Sequence, residues 1–314
     1  MKLVVLEPLG IPDEDLRVLL DGAVAGADVE VVTYPDRKED EATLVQRSAG
    51  ADIVVLSNIP YPGSVMRQNP SLKYVCVAFT GYDHVDMAYC REQGIQVSNC
   101  AGYSTVAVAD LVFAMVIDLL RSVCTLNATV RQGGTKDGLV GPELEGKRFG
   151  VIGCGAIGTR VARIANAFGC EVVAHSRTEK QLEGVTFMGL DELLSTSDIV
   201  SLHVPQTPET TKMIGAKQLA LMKPSAILIN CARGPIVDSQ ALAAALNEGR
   251  IAGAGIDVLE TEPPFPAEHP LLASKNTLVT PHVAFASTQA MEKRARIVVE
   301  NVASYLAGAT QNLV

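Results

Sequence analysis

The stretch Arg148-Phe149-Gly150-Val151-Ile152-Gly153-Cys154-Gly155-Ala156-Ile157-Gly158-Thr159-Arg160-Val161-Ala162-Arg163-Ile164-Ala165-Asn166-Ala167-Phe168, followed by Gly169-Cys170-Glu171-Val172-Val173-Ala174, decides the fold. Phe149–Ile152 is a short apolar run of strand length, and a helical segment runs on to Phe168. Between them lies GxGxxG, which serves a tight turn, a close approach of backbone to pyrophosphate, and helix-on-strand packing. The helix N-terminus adds unpaired N–H groups and partial positive charge. A GxGxxG alone is a weak signal; with a strand before it, a helix after it and a second strand at Glu171–Ala174, it predicts a dinucleotide site. Gly153, Gly155, Ala156, Ile157 and Gly158 are the candidate phosphate-loop residues.

The same alternation extends in both directions. Upstream, the apolar runs are Leu3–Leu6, Val29–Thr33, Ile53–Leu56, Tyr74–Ala78 and Ile95–Ser98. Downstream, they are Ile199–His203, Ala226–Ile229, Gly253–Asp257 and Thr277–Thr280. Continuous rather than alternating apolar runs predict strands covered on both faces, hence parallel sheets in an α/β protein. A long apolar segment, Thr105–Arg121, is interrupted by Asp110 and Asp118 and reads as a buried helix rather than a membrane span. Gln132–Gly146 is Gly-rich and reads as a linker, a domain edge or an arm to a partner subunit; Thr288–Ala307 has one apolar face and predicts an amphipathic helix.

Composition narrows the function class. The 314 residues, 48% of them hydrophobic, carry 26 basic against 35 acidic side chains, a net charge of −9 without a basic run, which argues against a phosphate-backbone partner. Seven cysteines without a CxxC argue against a disulfide framework or zinc cluster, so no metal is expected. The N-terminus enters a strand-like run at once, without a signal-peptide pattern, and a cytoplasmic enzyme is expected.

The residues after the second cofactor-binding strand bear on which dinucleotide is used. An acidic residue there would bind the ribose hydroxyls of NAD, whereas this chain reads His175-Ser176-Arg177-Thr178. Ser176 and Thr178 offer hydroxyls, and Arg177 a cation suited to a 2′-phosphate. NADP(H) is favoured; an exposed Arg177, with NAD held through backbone contacts, is the alternative.

Three later segments carry the candidate chemistry: Asn230-Cys231-Ala232-Arg233-Gly234-Pro235, Asp257-Val258-Leu259-Glu260-Thr261-Glu262-Pro263 and Thr280-Pro281-His282. Each follows a strand-like run, so all three can converge where open α/β sheets bind ligands, at the carboxyl ends of strands. With Gly81-Tyr82-Asp83-His84-Val85-Asp86, the Gly-rich loop and His203-Val204-Pro205-Gln206-Thr207-Pro208-Glu209-Thr210, they resemble, over nearly the whole chain, the D-isomer-specific 2-hydroxyacid dehydrogenase family. That family includes glyoxylate/hydroxypyruvate reductases, D-lactate dehydrogenases and phosphoglycerate dehydrogenases.

The resemblance implies a flavodoxin-like substrate domain (1–100 plus 285–314), an inserted Rossmann domain (101–284), and a homodimer through the cofactor domains and the 122–146 arm. It implies hydride transfer between NAD(P)H and a small 2-oxo acid to give the D-2-hydroxy acid. His282 is then the general acid/base, Glu262 its partner, with Glu260 the competing assignment, and Arg233 the substrate anchor. The alkoxide formed on reduction needs a proton, which His can give or take near neutrality. A carboxylate beside it stabilises the imidazolium, and an Arg fork grips a substrate carboxylate bidentately. The same resemblance puts Val204, Pro205, Thr210, Cys231 and Ala232 along the cofactor, Asp257 at its carboxamide, and the Phe79-Thr80-Gly81 backbone at the substrate carboxylate. His203 is read as a residue orienting the cofactor loop.

Departures from the family pattern are Ser176 in place of an acid, Cys231 where Thr or Ser is frequent, Asp110 where Glu is common, and the absence of Trp. Nothing in Ser57-Asn58-Ile59-Pro60-Tyr61-Pro62 is cationic, which counts against a phosphorylated substrate; Tyr61 and Phe285 are candidates for an apolar wall or for core packing. Glyoxylate, hydroxypyruvate, pyruvate and larger 2-oxo acids stay open. The other readings are a dinucleotide-sensing corepressor-like binding protein and an NAD-dependent formate or phosphite dehydrogenase.

Overall fold

The computed structural model describes residues 1–178 and 180–314. They form two compact units, residues 1–104 with 286–314, and residues 105–285. The sequence places these breaks at 100/101 and 284/285. In the structure Tyr103 stays with the first unit, its ring tilted against Phe79 at 6.0 Å.

In the first unit, strands β1 (Lys2–Val5), β2 (Glu30–Thr33), β3 (Ile53–Leu56), β4 (Tyr74–Val77) and β5 (Gln96–Asn99) alternate with helices α1 (Asp13–Ala23), α2 (Glu41–Ser48), α3 (Gly63–Met66) and α4 (Met87–Gln93). The sheet is parallel, in the order β2-β1-β3-β4-β5, the flavodoxin-like arrangement. All residues of β3 and β4 are buried, as their unbroken apolar runs require. Asp40 and Asp86 cap α2 and α4 through the N–H groups of Thr43 and Tyr89.

The second unit opens with helices α5 (Thr105–Arg121) and α6 (Val123–Arg131). It continues through β6 (Arg148–Ile152), α7 (Ala156–Ala167), β7 (Glu171–His175), β8 (Val185–Phe187), α8 (Leu190–Thr196) and β9 (Ile199–Leu202). After these come α9 (Ala216–Leu221), β10 (Ile227–Asn230), α10 (Ser239–Asn247), β11 (Gly253–Ile256) and β12 (Thr277–Val279). The seven strands lie parallel in the order β12-β11-β10-β9-β6-β7-β8. The crossover sense reverses between β6 and β9, the switch point of a doubly wound Rossmann sheet. Helix α11 (Thr288–Leu306) returns to the first unit, where Ser287 caps it and Ala295, Val298 and Val302 are fully buried.

The fold is thus two parallel-sheet α/β units. Two elements lack a sequence signal: β8 is a three-residue strand at the sheet edge with no buried residue, and α6 buries none of its side chains. Among the described residues no helix is long and apolar enough to cross a membrane.

Candidate active site

A parallel sheet delivers the carboxyl end of every strand to one edge. Along that edge of the second unit, the sheet order lines up His282 after β12, Asp257 and Glu262 after β11, and Cys231–Arg233 after β10. Beyond them follow His203–Thr210 after β9, the glycine loop after β6, and Ser176–Thr178 after β7. The candidate chemistry therefore occupies one wing of the edge and the candidate dinucleotide loop the other.

Each glycine of that loop has its own reason. Gly153 has φ +97°, and a Cβ there would lie 2.6 Å from the His203 carbonyl oxygen. A Cβ on Gly158 would lie 1.9 Å from the Gly153 carbonyl, so only glycine lets α7 pack so closely on the turn. Gly155 has nothing within 4 Å of its Cβ position, and no side chain caps the α7 N-terminus. That leaves an open backbone cradle at a helix N-terminus.

Neighbouring loops are internally braced. The His203 ring meets the Ser201 hydroxyl at 2.9 Å, and burial pushes its pKa down to about 4. Neutral throughout the physiological range, it serves as a strut. The Thr210 hydroxyl donates to the Pro205 carbonyl at 2.7 Å and accepts from the Thr207 N–H at 2.8 Å, folding the 205–210 loop on itself. Ser176 is half-buried, and Arg177 and Thr178 are exposed. Lys180 donates to the Cys154 carbonyl at 3.0 Å, laying a second cation across the glycine loop.

The Arg233 turn is shaped by Asn230, which is 1% exposed. Its amide donates to the Arg233 carbonyl at 2.9 Å and its oxygen accepts from the Ala232 N–H at 3.0 Å. The following Gly234 lies so close to the next excursion that a Cβ would sit 1.9 Å from the Leu259 carbonyl. That contact brings the Arg233 segment against the segment bearing Glu262.

His282 and Glu262 meet directly: Nδ1 lies 2.9 and 2.8 Å from the two carboxylate oxygens. The competing carboxylate, Glu260, instead meets His269 Nε2 at 2.9 Å. His282 has φ +52°, a left-handed conformation that costs a non-glycine residue about 1–3 kcal/mol. Asp257 holds it there. Fully buried, its Oδ1 accepts from the Thr280 hydroxyl at 2.5 Å and the Val283 N–H at 2.9 Å, its Oδ2 from the Ala284 N–H at 2.9 Å, and its carbonyl from the His282 N–H at 2.7 Å. Burial, the largest influence, pushes the Asp257 carboxyl above its ordinary value against these hydrogen bonds. The Phe285 ring stands edge-on to the imidazole, centroids 5.4 Å apart.

Comparison with known proteins identifies the family. Residues 113–284 match the family described as D-isomer specific 2-hydroxyacid dehydrogenase, NAD binding domain. A hydroxypyruvate reductase from Blautia hydrogenotrophica is 34% identical over 100% of this chain and 99% of its own length. A glycerate dehydrogenase from Methylorubrum extorquens is 39% identical over 95% and 98%. A solved acyclic imino acid reductase in complex with NADPH and D-Arg superposes with a TM-score of 0.91 at 32% identity, with both chains covered fully. The chain belongs to the D-isomer-specific 2-hydroxyacid dehydrogenase family. It is an oxidoreductase that interconverts 2-oxo and 2-hydroxy acids with a nicotinamide dinucleotide.

A dinucleotide fits the residues of this D-2-hydroxyacid dehydrogenase: the glycine cradle admits no Cβ where the fold is tight and is open at Gly155. Cys231 lies buried with its thiol 3.9 Å from the Met115 sulfur, and burial, reinforced by the Asp257 charge, pushes its pKa well up, so it stays a thiol. Among the described residues no group of three His, Cys, Asp or Glu is arranged to hold a metal.

In the first unit Phe79 is buried at the end of β4, and the Thr80 carbonyl accepts from the Asn99 amide at 2.7 Å. Gly81 follows in the same loop. Tyr61 is fully buried, part of the core rather than a wall. The neighbouring Ser57–Ile59 loop is more ordered than its sequence suggests. Glu7, 2% exposed, accepts all three of its N–H groups on one oxygen, at 2.7, 3.0 and 3.1 Å. The other oxygen of Glu7 pairs with Arg37 at 2.6 Å, and Arg37 also reaches the Asn58 side chain at 2.6 Å. A cation therefore does stand at this loop, brought from beyond β2 and already partnered by a carboxylate.

Proposed function

We propose that this enzyme reduces a small 2-oxo acid by protonating the developing alkoxide from His282 while Arg233 holds the substrate carboxylate. The His282–Glu262 contact at 2.8–2.9 Å carries the reading. A carboxylate that grips Nδ1–H fixes the tautomer and stabilises the imidazolium, which makes Nε2 the nitrogen that exchanges a proton with substrate. Asp257 holds the strained backbone that aims the ring. Arg233 supplies a guanidinium fork for the carboxylate, and the family resemblance gives Phe79, Thr80 and Gly81 of the first unit a substrate-binding role. When bound, the dinucleotide supplies or accepts the hydride.

Gly153, Gly155, Ala156, Ile157 and Gly158 would hold the pyrophosphate. Ser176, Arg177 and Thr178 would hold the adenosine end, and His203, Val204, Pro205, Thr210, Cys231, Ala232 and Asp257 the stretch towards the nicotinamide. We favour NADPH, because Ser176 replaces the acid that would repel a 2′-phosphate and Arg177 beside it offers a cation to one. A homodimer through the cofactor units and a cytoplasmic location complete the proposal.

Hydroxypyruvate, from the name of the Blautia hydrogenotrophica relative, and glyoxylate, from relatives named glyoxylate reductase such as that of Thermococcus litoralis, are the first substrates to try. The likeness to an imino acid reductase favours a second reading, reduction of a C=N formed from a 2-oxo acid and an amine. A panel of 2-oxo acids, each with and without an amine and with NADPH or NADH, separates these. Turnover without amine and faster with NADPH is expected; strict dependence on amine, or indifference to Arg177→Ala with a preference for NADH, overturns the corresponding part.

A further inference from the structure

Glu262 lies on the long excursion between β11 and β12, and a second histidine–glutamate pair closes that excursion on itself. His269 Nε2 donates to Glu260 Oε2 at 2.9 Å, while His269 Nδ1 accepts the Leu271 N–H at 3.3 Å. The two contacts fix one tautomer and engage both ring nitrogens inside the protein. His269 thereby caps the single 3-10 turn Pro270–Leu272, whose Leu271 is 2% exposed in the same core cluster as Leu259. At the other end, the Leu259 carbonyl abuts Gly234 beside Arg233. Burial, the largest influence on Glu260, pushes its carboxyl up, but hydrogen bonds from Ser239 and His269 outweigh it and hold it below the usual range. Ser239, the first residue of α10, is itself buried. Glu260 is thus tied both to a helix of the core and to a half-buried histidine whose neighbour Leu271 is seated in the core, two residues before the carboxylate that meets His282.

We infer that the Glu260–His269 pair is a clasp that presents Glu262 to His282, making Glu260 and His269 positioning residues for proton transfer. The inference rests on the reading of His282 and Glu262 given above. An exposed loop closed at one end would sample many conformers, and a displacement of about 1 Å at a catalytic group costs as much as 10²-fold in rate. Two carboxylates face the His282 ring, Glu262 directly and the buried Asp257 through its charge; the first of these sits on the clasped loop.

The two functions of His269 can be separated by substitution. His269→Asn keeps an acceptor for the Leu271 N–H but stops short of Glu260, whereas His269→Gln keeps a donor at the Nε2 position. His269→Asn is expected to lower kcat for 2-oxo acid reduction by roughly ten-fold or more, leaving the KM for NADPH unchanged. It is also expected to alter the pH profile of kcat in the same sense as Glu262→Gln. His269→Gln should restore both, and Glu260→Ala, which spares the Leu271 cap, should reproduce the loss. In a Glu262→Gln background, His269→Asn should change nothing further. A crippled Glu262→Gln enzyme together with an unaffected His269→Asn enzyme, or losses that add in full in the double variant, would overturn the clasp alone. A Glu262→Gln enzyme with unaltered kcat and pH profile would overturn the assignment of Glu262 and the clasp with it.

Discussion

Two histidine–carboxylate pairs take their carboxylates from one excursion of the chain, between β11 and β12, and use the same residue types in different arrangements. At His269 the carboxylate takes Nε2 and a backbone N–H takes Nδ1, so the ring is used up in holding a loop. At His282 both oxygens of Glu262 converge on Nδ1, and the backbone is held left-handed by a buried aspartate. Identity of residue types does not separate the two; which ring nitrogen the carboxylate takes, and how much strain the backbone is made to hold, does. A structural pair sits in relaxed backbone, while the pair assigned to catalysis is kept in a costly conformation by a dedicated tie.

The contrast is broken most easily at the histidine assigned to chemistry. His282→Asn should lower kcat by roughly 10²–10⁴ while leaving the thermal midpoint nearly unchanged, as steady-state assays and calorimetry would show. Wild-type turnover in that variant would erase the distinction between the pairs. Next in size, Asp257→Ala strands the Thr280 hydroxyl and the Val283 and Ala284 N–H groups, the last of them buried. Chemical denaturation should report a loss of about 3 kcal/mol, with turnover falling as His282 loses its aim. The far wing of the sheet edge should respond independently: Arg177→Ala is expected to raise the KM for NADPH by about ten-fold with little change in kcat. An effect that vanished in a His282→Asn background would show the two wings to be coupled.

A third histidine sharpens the contrast further, because burial alone sets its behaviour. The unfolded chain takes up a proton at His203 below about 6.5, while the folded chain resists to about 4. Stability present above 6.5 is therefore lost as pH falls through that window, and His203→Gln should flatten the slope in a series of thermal melts. Smallest of all, Cys231→Ser should keep turnover within about three-fold, since a buried thiol held protonated contributes no nucleophile.

The fold and the glycine loop were legible because their signals are local. Unbroken apolar runs give buried parallel strands, and Gly153, Gly155 and Gly158 sit within six residues of one another. The roles of Arg233, Glu262 and His282 came from motif resemblance, and the structure supplies the contact between the last two. What stayed hidden is long-range. Glu7 reads as one more acid at a strand end, yet its oxygen organises a loop some fifty residues on. Arg37 reaches Asn58, so the absence of a cation in that loop's own sequence misleads. Glu260 and Glu262 are indistinguishable as letters, and only the paths of the chain to His269 and His282 divide them. The tie from Asp257 to the His282 turn likewise exists only once β11 and β12 lie side by side.

The most direct test of the account is the pH dependence of hydride transfer in a single turnover, followed by loss of reduced nicotinamide absorbance on mixing enzyme–NADPH with a 2-oxo acid. The wild-type rate is expected to fall on the alkaline side as one proton leaves the His282–Glu262 pair, and the His282→Asn rate to be low and flat across the same range. The same alkaline limb in both enzymes would contradict the assignment of the proton to His282.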